Sequence, residues 1–104
     1  DLLLNSNDIN SISLVTNILL TRVRLNNNTL TALSIATNTL ITELQTYNNQ
    51  LNADVNSQLL IDLDTHNLNN GYFRSAISGG GTLTTAGLAA KAALLLKGWT
   101  IIGL

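Results

Sequence analysis

Three residue types are missing from this chain, which has no cysteine, no proline and no methionine. The absence of cysteine excludes disulfide bonds and thiolate metal sites. Charge is also scarce: charged residues are 11% of the 104 residues and the formal net charge is −1. Electrostatic capture of nucleic acid or of an anionic membrane is therefore not expected. Aromatic residues, at 4%, are too few to build platforms on which bases stack.

Long hydrophobic runs are missing as well. In the most apolar stretch, residues 83–104, the longest uninterrupted run is Ala92–Leu96. That run is far short of the roughly 20 residues that span a bilayer. The sequence therefore predicts a protein without membrane insertion. Uncharged asparagine, threonine and serine supply most of its polarity, which fits an extracellular or particle-bound protein, although many cytosolic proteins have a similar composition.

What the chain does contain is a sequence repeat at a fixed interval. Residues 20–30 read L-x-x-V-x-L-x-x-N-x-L, and residues 41–51 read I-x-x-L-x-T-x-x-N-x-L. Residues 2–14 carry the same apolar columns one period earlier. A period of about 20 to 29 residues is typical of stacked-coil solenoids, in which one unit cannot bury its apolar edge alone. The pattern starts at Asp1 with no capping segment before it, so we expect this chain to be the C-terminal part of a longer protein.

Each 21-residue unit holds two short alternating segments, such as 23–25 and 33–35, separated by asparagine-rich turns. Alternation places successive side chains on opposite faces, so we predict two short strands in each unit. Beyond residue 53 the apolar spacing becomes helical. We predict a helix over about 54–64 capped by Asp54, a strand over 72–77, a helix over about 85–97 and a final strand over 100–102.

The second predicted helix begins at Thr84 or Thr85 and stops at Gly98. Its apolar stripe, which is expected to face the core, consists of Leu88, Ala92, Leu95 and Leu96. The predicted fold is a repeat solenoid of about five coils on a parallel sheet. Residues 1–52 form its β–β coils, and residues 53–104 form helix-containing β–α coils and a cap.

One asparagine recurs in every repeat and forms a column of three residues: Asn7, Asn28 and Asn49. A side-chain amide that enters a tight turn can both donate to and accept from backbone groups that would otherwise be buried without partners. We therefore predict a structural asparagine ladder along the stack.

The residues that flank the inward apolar pair of each predicted strand face away from the core. They form the candidate partner-binding surface: Arg22, Arg24, Asn26, Glu43, Gln45, Tyr47, Tyr72 and Arg74. Arginine and tyrosine are enriched in protein interfaces, although any solvated sheet face carries polar side chains. A second column has small side chains that suit close packing against another chain, or equally a plain exposed strand: Ser11, Ser13, Ala32, Ser34 and Ala36.

No group of residues supplies recognisable catalytic chemistry. Asp62, Asp64 and His66 could ligate a cation, but a calcium loop that starts at Asp62 lacks the glycine and glutamate needed at its sixth and twelfth positions. His66 has no nucleophile in a recognisable setting. The Gly79–Gly81 loop lacks the lysine of a phosphate-binding loop. The sequence predicts a protein that is not an enzyme and that has no metal site and no cofactor.

The pattern over residues 20–30 resembles the leucine-rich repeat, whose consensus is L-x-x-L-x-L-x-x-N-x-L, and the 21-residue unit resembles its short bacterial class. The likeness covers residues 1–52 and departs from the consensus at Thr46, in an apolar column. It implies a curved solenoid that recognises partners on its concave sheet. Residues 60–71 and 86–100 are similar to the C-terminal tails of repeat-bearing structural proteins of bacterial viruses and of some bacterial surface proteins.

These patterns favour a non-enzymatic structural or protein-interaction module. We expect it to belong to a larger virion protein, such as a phage tail, fibre or decoration component, at an extracellular or virion surface. The alternative is an adhesion or receptor-binding domain on a bacterial cell surface. In both cases the expected partner is a protein or a surface glycan, not nucleic acid, within a longer chain or an oligomeric assembly.

Overall fold

A computed structural model describes all of residues 1–104. It contains five strands and two helices in the order β1 (Leu2–Leu3), β2 (Arg22–Arg24), β3 (Glu43–Gln45), α1 (Ala53–His66), β4 (Tyr72–Arg74), α2 (Thr85–Leu96) and β5 (Thr100–Ile102). The strands form one sheet in which each pairs in parallel with the next one along the chain. The result is a single parallel sheet with two helices in an open, repeat-like α/β arrangement.

The strand register reproduces the repeat seen in the sequence. Leu2 pairs with Val23, and Val23 pairs with Leu44, so the first two steps each equal one sequence repeat. The next two steps, from Leu44 to Phe73 and from Phe73 to Ile101, are longer. Each longer step contains one helix. The additional residues of these steps form the helices, and the register of the sheet continues unchanged.

The core follows the inward column of the sheet. Val23, Leu44 and Phe73 are fully buried beneath β2, β3 and β4. Burying an aliphatic or aromatic side chain of this size stabilises a fold by roughly 1.5–3 kcal/mol. Leu59 and Leu63 of α1 belong to the same cluster, so one core joins the helix-free half of the chain to the helical half.

The prediction of a second short strand in each unit is wrong. Residues 33–35 pair with no other strand. The chain here closes each coil with tight turns, in which Asn38 N–H donates to Ile35 C=O and Ile41 N–H donates to Asn38 C=O. Alternation alone predicted a strand, but a strand also needs a partner ladder, and these turns use the backbone groups locally. Each coil therefore contributes one strand, and the β–β description of residues 1–52 is corrected.

The cap of the first helix lies earlier in the chain than predicted. Asn52, and not Asp54, is the N-cap, because its side-chain oxygen accepts from Val55 N–H at 2.9 Å. Asp54 lies in the first turn, where a negative charge suits the helix dipole. The helix ends at His66, followed by Asn67 in left-handed conformation. The strand predicted over 72–77 is shorter than expected and spans Tyr72–Arg74.

The predicted start of α2 is confirmed, whereas the prediction of its buried face is wrong. Thr84 caps the helix by accepting from Gly87 N–H at 3.0 Å, and Gly98 has the predicted left-handed backbone, with φ of +82°. The buried residues, however, are Gly87, Ala90 and Leu94. The predicted stripe is exposed instead: Leu88 by 53%, Leu95 by 51% and Leu96 by 91%, and Ala92 is exposed as well.

The reason is close helix packing. A β-carbon on Gly87 would lie 2.7 Å from the β-carbon of Ser57 on α1, so the two helices touch where α2 has no side chain. Since nearly every residue of α2 is apolar, the hydrophobic pattern does not favour one face strongly. The small residues decide which face can approach α1.

The asparagine column lies in the turns that follow the strands. Asn28 donates through its amide to Leu4 C=O and Leu25 C=O, both at 3.0 Å, and accepts from Ile9 N–H at 3.0 Å. It thus joins its own coil to the preceding one through its side chain.

The other two asparagines of the column make related contacts. Asn49 donates to Leu25 C=O at 2.8 Å and to Thr46 C=O at 3.0 Å, and it accepts from Leu30 N–H at 2.9 Å. The amide of Asn7, in the coil that contains β1, donates to Leu4 C=O at 3.0 Å within its own turn.

Replacing Asn28 with alanine is expected to lower the free energy of unfolding by about 1–3 kcal/mol, because buried carbonyl groups lose their partners. The measurement is urea denaturation of the 104-residue chain. Asn10→Ala is the matched control, since Asn10 is exposed, and a change within roughly 0.5 kcal/mol is expected for it. Equal losses in both variants would show that Asn28 has no special structural role.

Candidate interaction surface

The outward face of the sheet carries all four charged side chains of strands β2–β4. Because Val23, Leu44 and Phe73 point inward, their strand neighbours point outward. The register aligns them in two rows across the strands. One row contains Arg22, Glu43 and Tyr72, and the other contains Arg24, Gln45 and Arg74.

A chain of ion pairs runs along this face. Arg24 binds Glu43 through two bonds of 3.2 Å, from Nε to Oε2 and from Nη2 to Oε1. Arg22 hydrogen-bonds to Asp1, and its Nε lies 3.8 Å from Oε2 of Glu43. The hydrogen bond and the negative charge of Glu43 raise the pKa of Arg24 above its ordinary value. The Arg24 guanidinium is therefore held in place as a cation on a part-exposed surface.

An aromatic group adjoins the ion pairs. The guanidinium carbon of Arg74 lies 3.9 Å from the centroid of the Tyr47 ring, a cation–π arrangement. The Tyr47 hydroxyl accepts from the Asn26 amide at 3.2 Å. Asn26 is only 5% exposed, so it supports Tyr47 from within and offers little surface of its own. Gln45 lies 3.5 Å from Glu43, and Tyr72 is half-buried beside them.

These contacts make the face ordered before any partner arrives. Each charged or aromatic group except Tyr72 has a neighbour that restricts its rotamers, which reduces the entropy lost on binding. Arginine and tyrosine planes can stack on flat groups and hydrogen-bond to carboxylates or hydroxyls. The arrangement therefore suits recognition of a polar protein surface or a glycan more than covalent chemistry.

A second candidate surface lies where the helix-free coils meet α1. It is an open groove of about 580 Å³. Ser11, Ala32 and Ser34 of the small-residue column line one side, and Asp54 and Gln58 of α1 line the other. The groove could not be foreseen from the sequence, because its two sides come from separate segments of the chain that meet only in the folded protein.

The acidic residues near the end of α1 have partners within the chain. Asp62 accepts from Gln58 at 3.0 Å, and Asp64 forms an ion pair of 2.6 Å with Lys97. His66 Nε2 lies 3.4 Å from Ala36 C=O. No three acidic or histidine side chains converge in a way that could hold a metal ion.

A buried polar cluster escaped the sequence analysis. The hydroxyl of Thr46 donates to Ser75 Oγ at 2.8 Å, and the Ser75 hydroxyl donates to Asn56 Oδ1 at 2.5 Å. The Asn56 amide donates to Leu51 C=O at 3.2 Å and to Ala76 C=O at 3.1 Å. The available signal was Thr46 itself, a polar residue in a column where the preceding coils have leucine.

Neither helix has the length and hydrophobicity that crossing a membrane would require. The chain matches no family model, no curated protein and no solved structure, and its likeness to leucine-rich repeats therefore stays a prediction.

Proposed function

We propose that this chain is a short leucine-rich-repeat-like solenoid and that it acts as a non-enzymatic structural and protein-interaction module. The observation that carries the proposal is the preordered outward face of the sheet. There the bidentate Arg24–Glu43 pair and the Arg74–Tyr47 stack hold charged and aromatic groups in fixed positions. Fixed side chains of these types are typical of interface centres.

The repeat supports the solenoid part of this proposal. The strands pair only with their sequence neighbours, and the steps between them match the repeat and lengthen only where a helix is inserted. A stack of coils requires this kind of pairing. Asn28 and Asn49 add side-chain bonds between successive coils. The asparagine and the apolar columns coincide with those of the leucine-rich-repeat consensus.

The proposed setting is a larger virion protein, such as a phage tail, fibre or decoration component, at an extracellular or virion surface. The low charge content and the likeness of the C-terminal segments to tails of phage structural proteins support it. In that role the small-residue groove around Ser34 would pack against a neighbouring chain. The second candidate function, adhesion or receptor binding at a bacterial cell surface, is favoured by the outward face around Tyr47 and Arg74.

Two variants separate these roles. Arg24→Ala/Tyr47→Ala removes two side chains of the outward face. Ser34→Glu places a negative charge in the groove. Ser34 is exposed, so Ser34→Glu should change urea unfolding by no more than about 1 kcal/mol. The double variant also removes the hydroxyl that accepts from the buried Asn26 amide, so a loss of about 1–3 kcal/mol is expected for it, and circular dichroism verifies that it is folded. We would measure binding of the labelled chain to arrayed bacterial surface glycans and envelope proteins, and assembly by sedimentation velocity, with Gln50→Ala as the surface control.

If the outward face recognises a partner, the double variant loses at least tenfold in array binding, and Ser34→Glu does not. If the groove serves an architectural contact, Ser34→Glu reduces assembly and the double variant leaves it intact. If neither variant changes either measurement relative to Gln50→Ala, the proposal is wrong.

A further inference from the structure

One arginine of the outward face has no anionic partner within the chain. The ion pairs of the chain involve other cations, and none of them includes Arg74. Glu43 is the only acidic residue in the five strands, and its carboxylate already accepts from Arg24 and Gln45. Arg74 is exposed, so its guanidinium remains free to bind an anion from outside the chain.

The Arg74 guanidinium is held in one position by an aromatic ring. Its carbon lies 3.9 Å from the centroid of the Tyr47 ring. The N–H groups of a guanidinium lie in its plane, so stacking on a ring leaves them available to an acceptor. Tyr47 is fixed in turn, because its hydroxyl accepts from the buried Asn26 amide at 3.2 Å. The proton of that hydroxyl has no acceptor within the chain, so a second donor lies beside Arg74.

Positive charge is concentrated on the outward face. Its three arginines and Glu43 sum to +2, and Asp1, which bonds to Arg22, lowers the sum to +1. The whole chain has a formal net charge of −1, so the remaining residues sum to −2. The face therefore has the sign opposite to that of the rest of the chain. Complementary charge steers an acidic partner towards such a face and away from other surfaces.

The outward face is open and lines no cavity. The groove and the two smaller cavities of the molecule are formed by other segments of the chain. A small molecule or a short sugar is held in a pocket that covers most of its surface. An open, ordered face with one free cation instead fits the broad contact that a protein partner makes.

We propose that the outward face docks an acidic protein surface, on which an aspartate or glutamate side chain binds the Arg74 guanidinium and the Tyr47 hydroxyl. This inference rests on the proposed interaction role of the same face and specifies its partner. The guanidinium would donate two parallel bonds to the carboxylate, and the hydroxyl would donate a third. Because Tyr47 already positions the guanidinium, little side-chain entropy is lost on docking.

The test compares two anionic polymers as probes. Poly-L-glutamate presents protein carboxylates, and polygalacturonate presents glycan carboxylates. Binding of the 104-residue chain to each immobilised polymer would be measured by surface plasmon resonance at low ionic strength. The variants are Arg74→Gln, Arg74→Lys and the control Lys91→Gln, which removes the same charge from α2 on the inward side of the sheet. Circular dichroism would verify that each variant is folded.

We expect wild type to bind poly-L-glutamate more tightly than polygalacturonate. Arg74→Gln should weaken binding to poly-L-glutamate by about fivefold or more, and Lys91→Gln by no more than about twofold. Arg74→Lys should lie between wild type and Arg74→Gln, since lysine keeps the charge but not the planar pair of donors.

Three results would overturn the inference: no binding of wild type to poly-L-glutamate, tighter binding to polygalacturonate, or equal losses in the two glutamine variants. The proposed function can fail separately. If a partner found on the array is lost by Arg24→Ala/Tyr47→Ala and kept by Arg74→Gln, the interaction role stands and the acidic partner at Arg74 is wrong.

Discussion

Replacing Trp99 with alanine is expected to lower the free energy of unfolding by about 3–5 kcal/mol, the largest effect that we expect of any single substitution in this chain. Trp99 is 3% exposed, and its indole N–H donates to Leu68 C=O at 2.8 Å. Alanine would leave both a cavity and an unpaired carbonyl. Urea denaturation should be followed by circular dichroism, because Trp99 is the only tryptophan and its loss removes the fluorescence signal.

The ring of Trp99 also explains a nearby glycine. A β-carbon on Gly71 would overlap the indole, so Gly71→Ala forces the ring to move, at a cost of about 1–3 kcal/mol. In the Trp99→Ala background the cavity accommodates that β-carbon. The double variant should therefore lose less stability than the two single losses added together. Simple additivity would mean that the indole does not press against this position.

The second large effect is expected at Asn56. Asn56→Ala should lower the free energy of unfolding by about 2–4 kcal/mol, because a buried group left without its partner costs roughly 1–3 kcal/mol and several are affected. Ser75 Oγ, Leu51 C=O and Ala76 C=O all bond to this fully buried side chain. Gln58→Ala on the exposed side of α1 is the matched control, and it should change stability by less than roughly 0.5 kcal/mol. A similar loss in both variants would contradict the role of the cluster.

A charged substitution at the same position is expected to make the free energy of unfolding depend on pH. In Asn56→Asp a carboxylate would be buried against carbonyl oxygens, which raises its pKa in the folded state above that in the unfolded chain. The folded state then binds the proton more tightly, so the stability of this variant relative to wild type should rise as the pH falls from 7 towards 4. A difference that does not change over this range would show that water reaches the site.

The outward face of the sheet owes its order to neighbours on different strands. Glu43 on β3 binds Arg24 and lies close to Arg22, both on β2, and Arg74 at the end of β4 covers Tyr47 beyond β3. The alternation of side chains predicted which residues share this face. It did not predict which pairs form, because pairing depends on the register across strands and on the reach of each side chain.

The repeat by itself determined a large part of the fold. Columns of leucine, isoleucine and valine at the fixed interval of the repeat can be buried together only if successive units stack in register, and the strands pair at that interval. Asn28 and Asn49 recur at the same interval because each turn leaves backbone groups that need a partner. These features are local or periodic, so one sequence suffices to find them.

Other features depended on the tertiary structure alone. Residues 33–35 alternate like a strand but have no strand beside them, and the leucines of α2 form a helical stripe that faces outward because Gly87 packs on Ser57. Asn56 and Ser75 are 19 residues apart in the chain and meet only in the folded protein. Whether a polar or apolar residue is buried depends on what packs over it, and the residues that pack against α2 come from a distant part of the chain.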